Sequence, residues 1–354
     1  MNRSALAILV ATLAISALWA PVLYPGGKAA LVLLDVYSPA FVGTDLAALI
    51  TPEPRATDTR ETFGGLPMRV SWWRPGWGDR HPAIMIVNGA TPVGNENAAT
   101  RQFGVTLARA GYLVMLPEFP FLKEGRLDAD APRVVDAAFA HLRGLPETRG
   151  RAAGAFGASV GAGIMLAAAG SQPALARADH LSVLGGYFDL YTYVASVASR
   201  SQGVPAGATT PWQPSAEASE RIPPAIEAAM PDDADREKVR AAFRAADHET
   251  ALERLRSVSA RGHAVLDGLS PSTVWASVPP PVFWIHDPDD AYEPLSEALA
   301  AEAAPRPGRF RLVVPRLVQH AEVSTGAAAR GPLFVVGELW NLLTFTLDVL
   351  RVAG

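Results

Sequence analysis

The stretch GAFGASVGAG, residues 154–163, surrounds one serine, Ser159, with glycines and alanines. Residues 157–161 fit the pattern G-x-S-x-G, follow an apolar run and precede helical sequence. This context is typical of a sharp strand-to-helix bend that presents a nucleophile, where larger neighbouring side chains would clash with the strained serine. A helix start packed closely on a sheet is the alternative interpretation. A phosphate loop would need G-x-x-x-x-G-K-[ST] or G-x-G-x-x-G after the first strand, and neither is present.

A nucleophilic serine needs a base, and the base needs a carboxylate that orients it. In an open α/β sheet these groups sit at the carboxyl ends of later strands. The run VFWIHDPDDAYEP, residues 282–294, supplies carboxylates just after an apolar strand, and RLVVPRLVQHAEV, residues 311–323, supplies His320 after the next one. The chain has seven histidines. His320 alone among them follows the last strand in a loop, so it is the predicted general base.

The motifs, in the order serine, aspartate, histidine, resemble the α/β-hydrolase superfamily from about residue 60 to the C-terminus. Within that superfamily the chain looks most like the esterase and dienelactone-hydrolase-like group. Residues 286–294 are similar to the family's H-G-x-x-D-x-x-V-P, with His286, Asp290 and Pro294 at the matching positions. Asp287 stands where the family has Gly, and Glu293 where it has Val. Dienelactone hydrolases proper use a cysteine nucleophile, and this chain has no cysteine.

The resemblance implies that Asp290 is the catalytic acid. Asp287 and Asp289 are competitors on the same loop, and an acid after the preceding strand would instead be Asp189 in GGYFDLY.

The resemblance also implies an oxyanion hole built from two backbone N–H groups. Val160, directly after the serine, supplies one of them at a helix N-terminus. The loop after the strand in IMIVNGATP supplies the other, with Ala90 the predicted donor and Thr91 the alternate. The family has His-Gly in that loop, whereas this chain has Asn88 and Gly89.

The elements that must position these residues alternate between short apolar strands and amphipathic helices. Residues 82–90 and 112–120 are buried-strand sequences, each joined to the next strand by a helical pattern. The alternation predicts an α/β fold with a mostly parallel sheet covered by helices on both faces. The resemblance specifies the α/β-hydrolase fold. Alanine-rich, charged sequence at about 191–275 interrupts the rhythm and predicts an inserted helical cap, because it is too long for an ordinary connection.

Three regions are predicted along the chain. Residues 1–50 form an apolar N-terminal region, the polar stretch TPEPRATDTRE at 51–61 is a linker, and residues 62–354 form the hydrolase-like domain with its cap.

The N-terminal region begins with an uncharged run at residues 5–24, long enough for one membrane-spanning helix. Arg3 precedes the run, which predicts an N-terminus in the cytoplasm and a catalytic domain outside it. A cleaved signal peptide and a buried helix are the alternatives, although Ala20 lies in a poor cleavage pattern. The protein is therefore expected to be membrane-anchored or exported.

Two further apolar segments could approach a membrane. Residues 29–50 contain Asp35, Asp45 and Pro39, which favours a helix or hairpin packed on the membrane surface or on the domain, with a second span as the alternative. The last helix is also long enough to span, but Glu338 and Asp348 favour packing against the sheet.

The amino-acid composition excludes several classes of partner and of chemistry. The 354 residues carry a net charge of −4, without the basic patch that nucleic-acid binding needs. The absence of cysteine excludes disulfides, thiol nucleophiles and cysteine-ligated metals. The acidic stretches lack the spacing of a calcium loop, so neither a metal nor a cofactor is expected.

The predicted function is a serine hydrolase that cleaves a small-molecule carboxylic ester. The alternatives are a peptidase or amidase, a thioesterase, an acyltransferase, or a non-catalytic membrane-tethered binding domain.

Overall fold

The structure is a computed structural model that describes residues 25–203, 208–320, 322–324 and 329–354. The predicted anchor at residues 5–24 lies outside the described residues. The main feature of the described residues is an eight-stranded sheet in the order β1-β2-β4-β3-β5-β6-β9-β10. In chain order these strands are β1 (Arg55–Phe63), β2 (Leu66–Arg74), β3 (Ala83–Val87), β4 (Leu113–Pro117), β5 (Ala153–Ala158), β6 (Leu181–Leu184), β9 (Val282–Ile285) and β10 (Phe310–Val313).

The sheet is antiparallel at one edge and parallel elsewhere. Strand β1 pairs with β2, and β2 with β4, in antiparallel register, while every pair from β4 to β10 is parallel. Strands β3 and β4 are buried along their whole length, as expected for strands covered on both faces. The predicted α/β fold with a mostly parallel sheet is therefore confirmed. Two short ribbons lie outside the sheet: β7 (Ser201–Gly203) with β8 (Thr209–Pro211), and β11 (Val318–Gln319) with β12 (Glu322–Val323).

Helices cover both faces of the sheet. In chain order α1 to α13 are Pro25–Val42, Ala98–Arg109, Pro120–Lys123, Ala131–Gly144, Ser159–Ser171, Leu190–Ser199, Ala216–Ala229, Asp233–Phe243, His248–Arg256, Ala260–Leu269, Pro271–Val274, Leu295–Ala303 and Pro332–Ala353. Helices α6 to α11 and the β7–β8 ribbon lie between β6 and β9, where the cap is predicted. Side-chain oxygens cap several of these helices, including α7, α8, α9 and α10.

The predicted linker at residues 51–61 needs a correction, because residues 55–61 belong to strand β1. This strand pairs with β2 from Arg55 opposite Arg74 to Phe63 opposite Leu66. Its residues are nearly all exposed, since β1 is the edge of the sheet. Polar residues suit an exposed edge strand because they discourage pairing with other chains. Because a linker is also rich in polar residues, the sequence of this strand resembles one.

Helix α1 holds much of the second apolar segment against the domain. It packs along α13, α2 and β12, and its residues from Ala29 to Leu34 are buried. Asp35 is fully buried and lies 2.5 Å from the guanidinium of Arg109 on α2, which also bonds Asp45 at 2.6 Å. The apolar character of this segment therefore serves the core, and its two carboxylates share one buried arginine.

Helix α13 packs on the same side of the molecule. Among the described residues it is the one helix long and apolar enough to cross a membrane by length and composition, a test that core helices of soluble proteins also pass. Its Val335, Leu339 and Leu342 pack in one cluster with side chains of α1. Asp348 pairs with Arg309 at 2.7 Å and with Arg311 of β10. These contacts agree with the predicted packing against the sheet.

Candidate active site

Ser159 lies at the junction of β5 and α5 in a strained backbone conformation. Its φ of 52° is in the left-handed region, which a non-glycine residue adopts only where the surrounding structure holds it. The Ser159 N–H donates to the carbonyl of Gly185, after β6, at 2.8 Å. A Cβ on Gly157 would lie 2.6 Å from the Cα of Ala162, and one on Gly161 would overlap the Asn88 carbonyl oxygen. Both motif glycines are thus required by close backbone approach.

The two predicted oxyanion-hole residues flank the serine. Val160 is in the first turn of α5, where backbone N–H groups have no partner within the helix. Ala90 lies in the loop after β3, and both residues line the cavity that contains Ser159. The side chain of Asn88 fixes this loop: its Oδ1 accepts from the Gly89 N–H at 3.0 Å and from the Thr100 hydroxyl at 3.0 Å. Asn88 therefore supports the loop at the position where the superfamily that the sequence resembles has histidine.

His320 and Asp290 meet at the carboxyl end of the sheet. Asp290 lies in the loop after β9, and its Oδ2 is 3.0 Å from His320 Nδ1. His320 follows β11 and has a left-handed φ of 48°, like the serine. The ring of Tyr292 stacks on the imidazole at a centroid distance of 4.3 Å. With Nδ1 turned to Asp290, Nε2 is the nitrogen left to exchange a proton with a reacting group.

The other candidate acids occupy different positions. Asp287 accepts from the backbone N–H of His320 at 3.3 Å, so it supports the loop and not the ring. Asp289 is exposed and lies 3.3 Å from Arg316. Asp189 caps helix α6 by accepting from the N–H groups of Tyr191 and Thr192. Of the four aspartates, the geometry therefore pairs Asp290 with the imidazole.

Glu293 also belongs to the cluster, and the sequence alone predicts no catalytic role for it. The Ser159 hydroxyl donates to Glu293 Oε1 at 2.6 Å, and not to His320. The other carboxylate oxygen, Oε2, is buried without a hydrogen bond and lies 3.6 Å from His320 Nδ1. The superfamily that the sequence resembles has valine at this position, and the glutamate that replaces it is the feature of the sequence that could have indicated this role.

His286 fixes the backbone of Glu293. It is fully buried, and burial lowers its pKa, so the ring is neutral. Its Nε2 is 3.0 Å from the Glu293 carbonyl oxygen, and Trp284 Nε1 donates to its Nδ1 at 3.3 Å. These two contacts assign the proton to Nε2, and the motif histidine thereby positions the carboxylate that holds the serine.

The buried carboxylates set the charge of the site. Burial raises the pKa of Glu293 to about 7. Burial alone would lower the pKa of His320, but the hydrogen bond that its Nδ1–H donates to Asp290 and the charges of Glu293, Asp290 and Asp287 raise it to about 9. Burial would raise the pKa of Asp290, but the hydrogen bond and charge of His320 hold it below its ordinary value. The imidazole is therefore a stronger base than an isolated histidine.

The cluster could also be considered as a cation site. The ligand atoms of Asp290, Glu293 and His320 lie within 4.8 Å of one another. In this geometry, however, His320 Nδ1 is engaged by Asp290, and Glu293 Oε1 by the Ser159 hydroxyl. Both contacts engage atoms that a cation would need as ligands.

The site opens into a cavity of about 1030 Å³. Ser159, Glu293 and His320 line it, together with cap residues of α7 such as Arg221 and Ile222. An acyl substrate therefore has space directly over the serine.

Comparisons with known proteins identify the fold. A scan against protein-family models finds no match, and a search of curated proteins finds none. Among solved structures, the chain is similar to 2,6-dihydroxy-pseudo-oxynicotine hydrolase, with 19% identity over 86% of this chain and 70% of that chain and a TM-score of 0.53. It is also similar to Pyrococcus horikoshii acylaminoacyl peptidase, with 14% identity over 87% of this chain and 43% of that chain and a TM-score of 0.52. The sheet topology and these likenesses show that the chain has the α/β-hydrolase fold.

Proposed function

We propose that the protein is a serine hydrolase that cleaves carboxylic esters through an acyl-enzyme. The observation that carries this proposal is the contact between Ser159, strained at a strand-to-helix bend, and the buried cluster of Glu293, His320 and Asp290 beside a cavity. A domain that only binds ligands needs neither the strained serine nor the base of raised pKa. The finer choice of ester over amide or thioester rests on the sequence resemblance alone.

The reaction begins when the Ser159 hydroxyl turns from Glu293 towards Nε2 of His320. The Oγ–H bond breaks, the proton goes to Nε2, and Oγ bonds to the acyl carbon. Asp290, on Nδ1, stabilises the imidazolium that forms. As the ester C–O bond breaks, His320 returns the proton to the departing alkoxide. Water then repeats the sequence on the acyl-enzyme and releases the acid.

The charge that develops on the carbonyl oxygen is assigned to the backbone N–H groups of Val160 and Ala90. Both lie beside the serine, and Val160 adds the positive end of the α5 dipole. Donors of this kind are each worth about 10²- to 10³-fold in kcat.

A panel of matched p-nitrophenyl esters, anilides and thioesters tests the reaction class. Hydrolysis of esters by the wild-type protein, lost in Ser159→Ala, supports the proposal. Cleavage of the anilides with no ester turnover would replace it with an amidase or peptidase.

The pH dependence follows from the carboxylates around His320. Because His320 must be neutral to accept a proton, kcat/KM is expected to rise as pH increases towards about 9. Glu293→Gln removes one charge from beside the ring, lowers the pKa of His320 and moves this limb to lower pH. The measurement is kcat/KM from pH 5 to 10 for both proteins. Asp289→Asn, an exposed carboxylate of the same loop, is the control and should leave the limb in place. A wild-type limb near pH 6.5, or one that Glu293→Gln does not move, contradicts this account.

We also propose that residues 5–24 attach the protein to a membrane. Removal of residues 1–24 is expected to move the folded domain into the carbonate-soluble fraction. A deletion that continues to residue 50 is expected to unfold it, because it removes α1 and leaves Arg109 buried without Asp35. Fractionation combined with thermal unfolding separates the two effects. Full-length protein that carbonate extracts would refute the anchor.

A further inference from the structure

The cavity that contains Ser159 does not end at the catalytic groups. It continues along the face of the sheet that α1, α2 and α13 cover, where Ile86 and Ile84 of β3, Ser182 of β6 and His180 line it. His180 lies directly before β6, at the opposite end of the strands from Ser159. Ser182 is paired with Phe156, three residues before the serine. At 3.3 Å per residue, the lining therefore reaches about 10 Å or more below the nucleophile.

The walls of this deep part are mainly apolar, and the polar side chains among them, such as Gln102 and Thr106 of α2 and Thr346 of α13, are uncharged. Helix α1 contributes Val32 and Val36, α2 contributes Phe103, and α13 contributes Leu342, Phe345 and Val349. We call this part, between the sheet and these three helices, the acyl channel. No charged side chain of the described residues of α1, α2 or α13 lines it.

Charge is confined to the end of the cavity near the catalytic groups. Arg126, Glu217 and Arg221 line the cavity there, with Glu293 and His320. At the far end, burial lowers the pKa of His180 to about 4, so its imidazole is neutral. The polarity thus runs from a charged mouth to an uncharged, mainly apolar end.

The volume is large for a short ester. Pockets for small molecules have about 300–1,000 Å³, and this cavity has about 1030 Å³. An acetyl or propionyl group would fill only the region around the serine, whereas a long unbranched chain would occupy the channel with its carbonyl at Ser159.

We propose that the acyl channel binds the unbranched hydrocarbon chain of a long-chain carboxylic ester. This inference rests on the proposed ester hydrolysis, because Ser159 sets the position of the carbonyl from which the chain extends. Each methylene that enters an apolar channel is expected to raise kcat/KM about fourfold until the channel is full.

The test compares p-nitrophenyl esters from acetate to palmitate on the wild-type protein and on two α13 variants. Val349→Trp fills the channel from a half-buried helix position. Val336→Trp is the matched control, because Val336 is on the same helix, is 41% exposed and is not among the cavity-lining residues described. We expect kcat/KM to increase with chain length in the wild type and the control. In Val349→Trp, the long esters should lose at least tenfold while acetate is unchanged, which also shows that the variant is folded.

Calorimetric titration of hexadecanoate and of acetate into Ser159→Ala tests the channel without catalysis. Binding of hexadecanoate that the added Val349→Trp substitution abolishes supports the channel, even if no ester is cleaved and the proposed function fails. A wild type that cleaves esters without regard to chain length, or a Val349→Trp variant that affects acetate and palmitate equally, overturns the channel and leaves the hydrolase proposal standing.

Discussion

Replacing Ser159 with alanine is expected to lower kcat for ester hydrolysis by about 10³- to 10⁶-fold, the range seen when a serine nucleophile is removed. The substitution removes one oxygen atom from a site whose glycines and Asn88 loop already fix the bend. It also leaves Glu293 without the hydroxyl that donates to Oε1. The left-handed backbone strain at position 159 remains and Glu293 loses one hydrogen bond, so the free energy of unfolding should fall by no more than about 1–3 kcal/mol.

Ser171, at the end of the same helix α5, provides the matched control. Its hydroxyl donates to the carbonyl of Ala167 at 2.7 Å, and Ser171 lies about twelve helical rises, roughly 18 Å, along α5 from Ser159. Ser171→Ala should retain full activity. Wild-type activity in purified Ser159→Ala would mean that another group attacks the substrate.

Replacing Asp290 with asparagine is expected to reduce kcat by about 10³- to 10⁴-fold, as in other sites where the acid behind the histidine becomes an amide. The amide keeps the shape of the side chain but does not provide the charge that orients and stabilises the imidazolium. Loss of that charge also lowers the pKa of His320, which Asp290 helps to raise. The measurement is steady-state hydrolysis of one ester across a pH range, so that a shifted limb is distinguished from a lower plateau.

Asp287→Asn separates the competing acids. Asp287 contacts the backbone N–H of His320 and not its ring, so its replacement should cost less than about tenfold in kcat. If Asp287→Asn is the more damaging variant, the assignment of the catalytic acid to Asp290 is wrong.

Features that depend on a few neighbouring residues can be predicted from the sequence. The bend at Ser159 is encoded within five residues, because a side chain at Gly157 or Gly161 would meet backbone atoms. The parallel sheet is encoded in apolar runs separated by helical patterns, which become the fully buried strands β3 and β4. The meeting of Asp290 with His320 follows from adjacent strand ends, since β9 and β10 are neighbours.

The features that depend on tertiary contacts were not accessible. From the sequence, Glu293 resembles an ordinary loop carboxylate. Its contact with Ser159, 134 positions earlier in the chain, is formed only by the fold. Strand β1 resembles a linker because its pairing with β2 puts polar side chains at an exposed edge. The acyl channel lies between the sheet and α1, α2 and α13. Of these helices, α1 and α13 lie near opposite ends of the chain and pack against each other.

The chemical identity of the nucleophile can be measured directly. Reaction with a fluorophosphonate, followed by tryptic digestion, should place one label on peptide 152–177, which Arg151 and Arg177 delimit, and fragmentation should assign it to Ser159 and not to Ser171. Ser159→Ala should not be labelled, whereas Ser171→Ala should be labelled like the wild type. Wild-type protein that remains unlabelled, or that carries the label on another residue, would contradict the central claim.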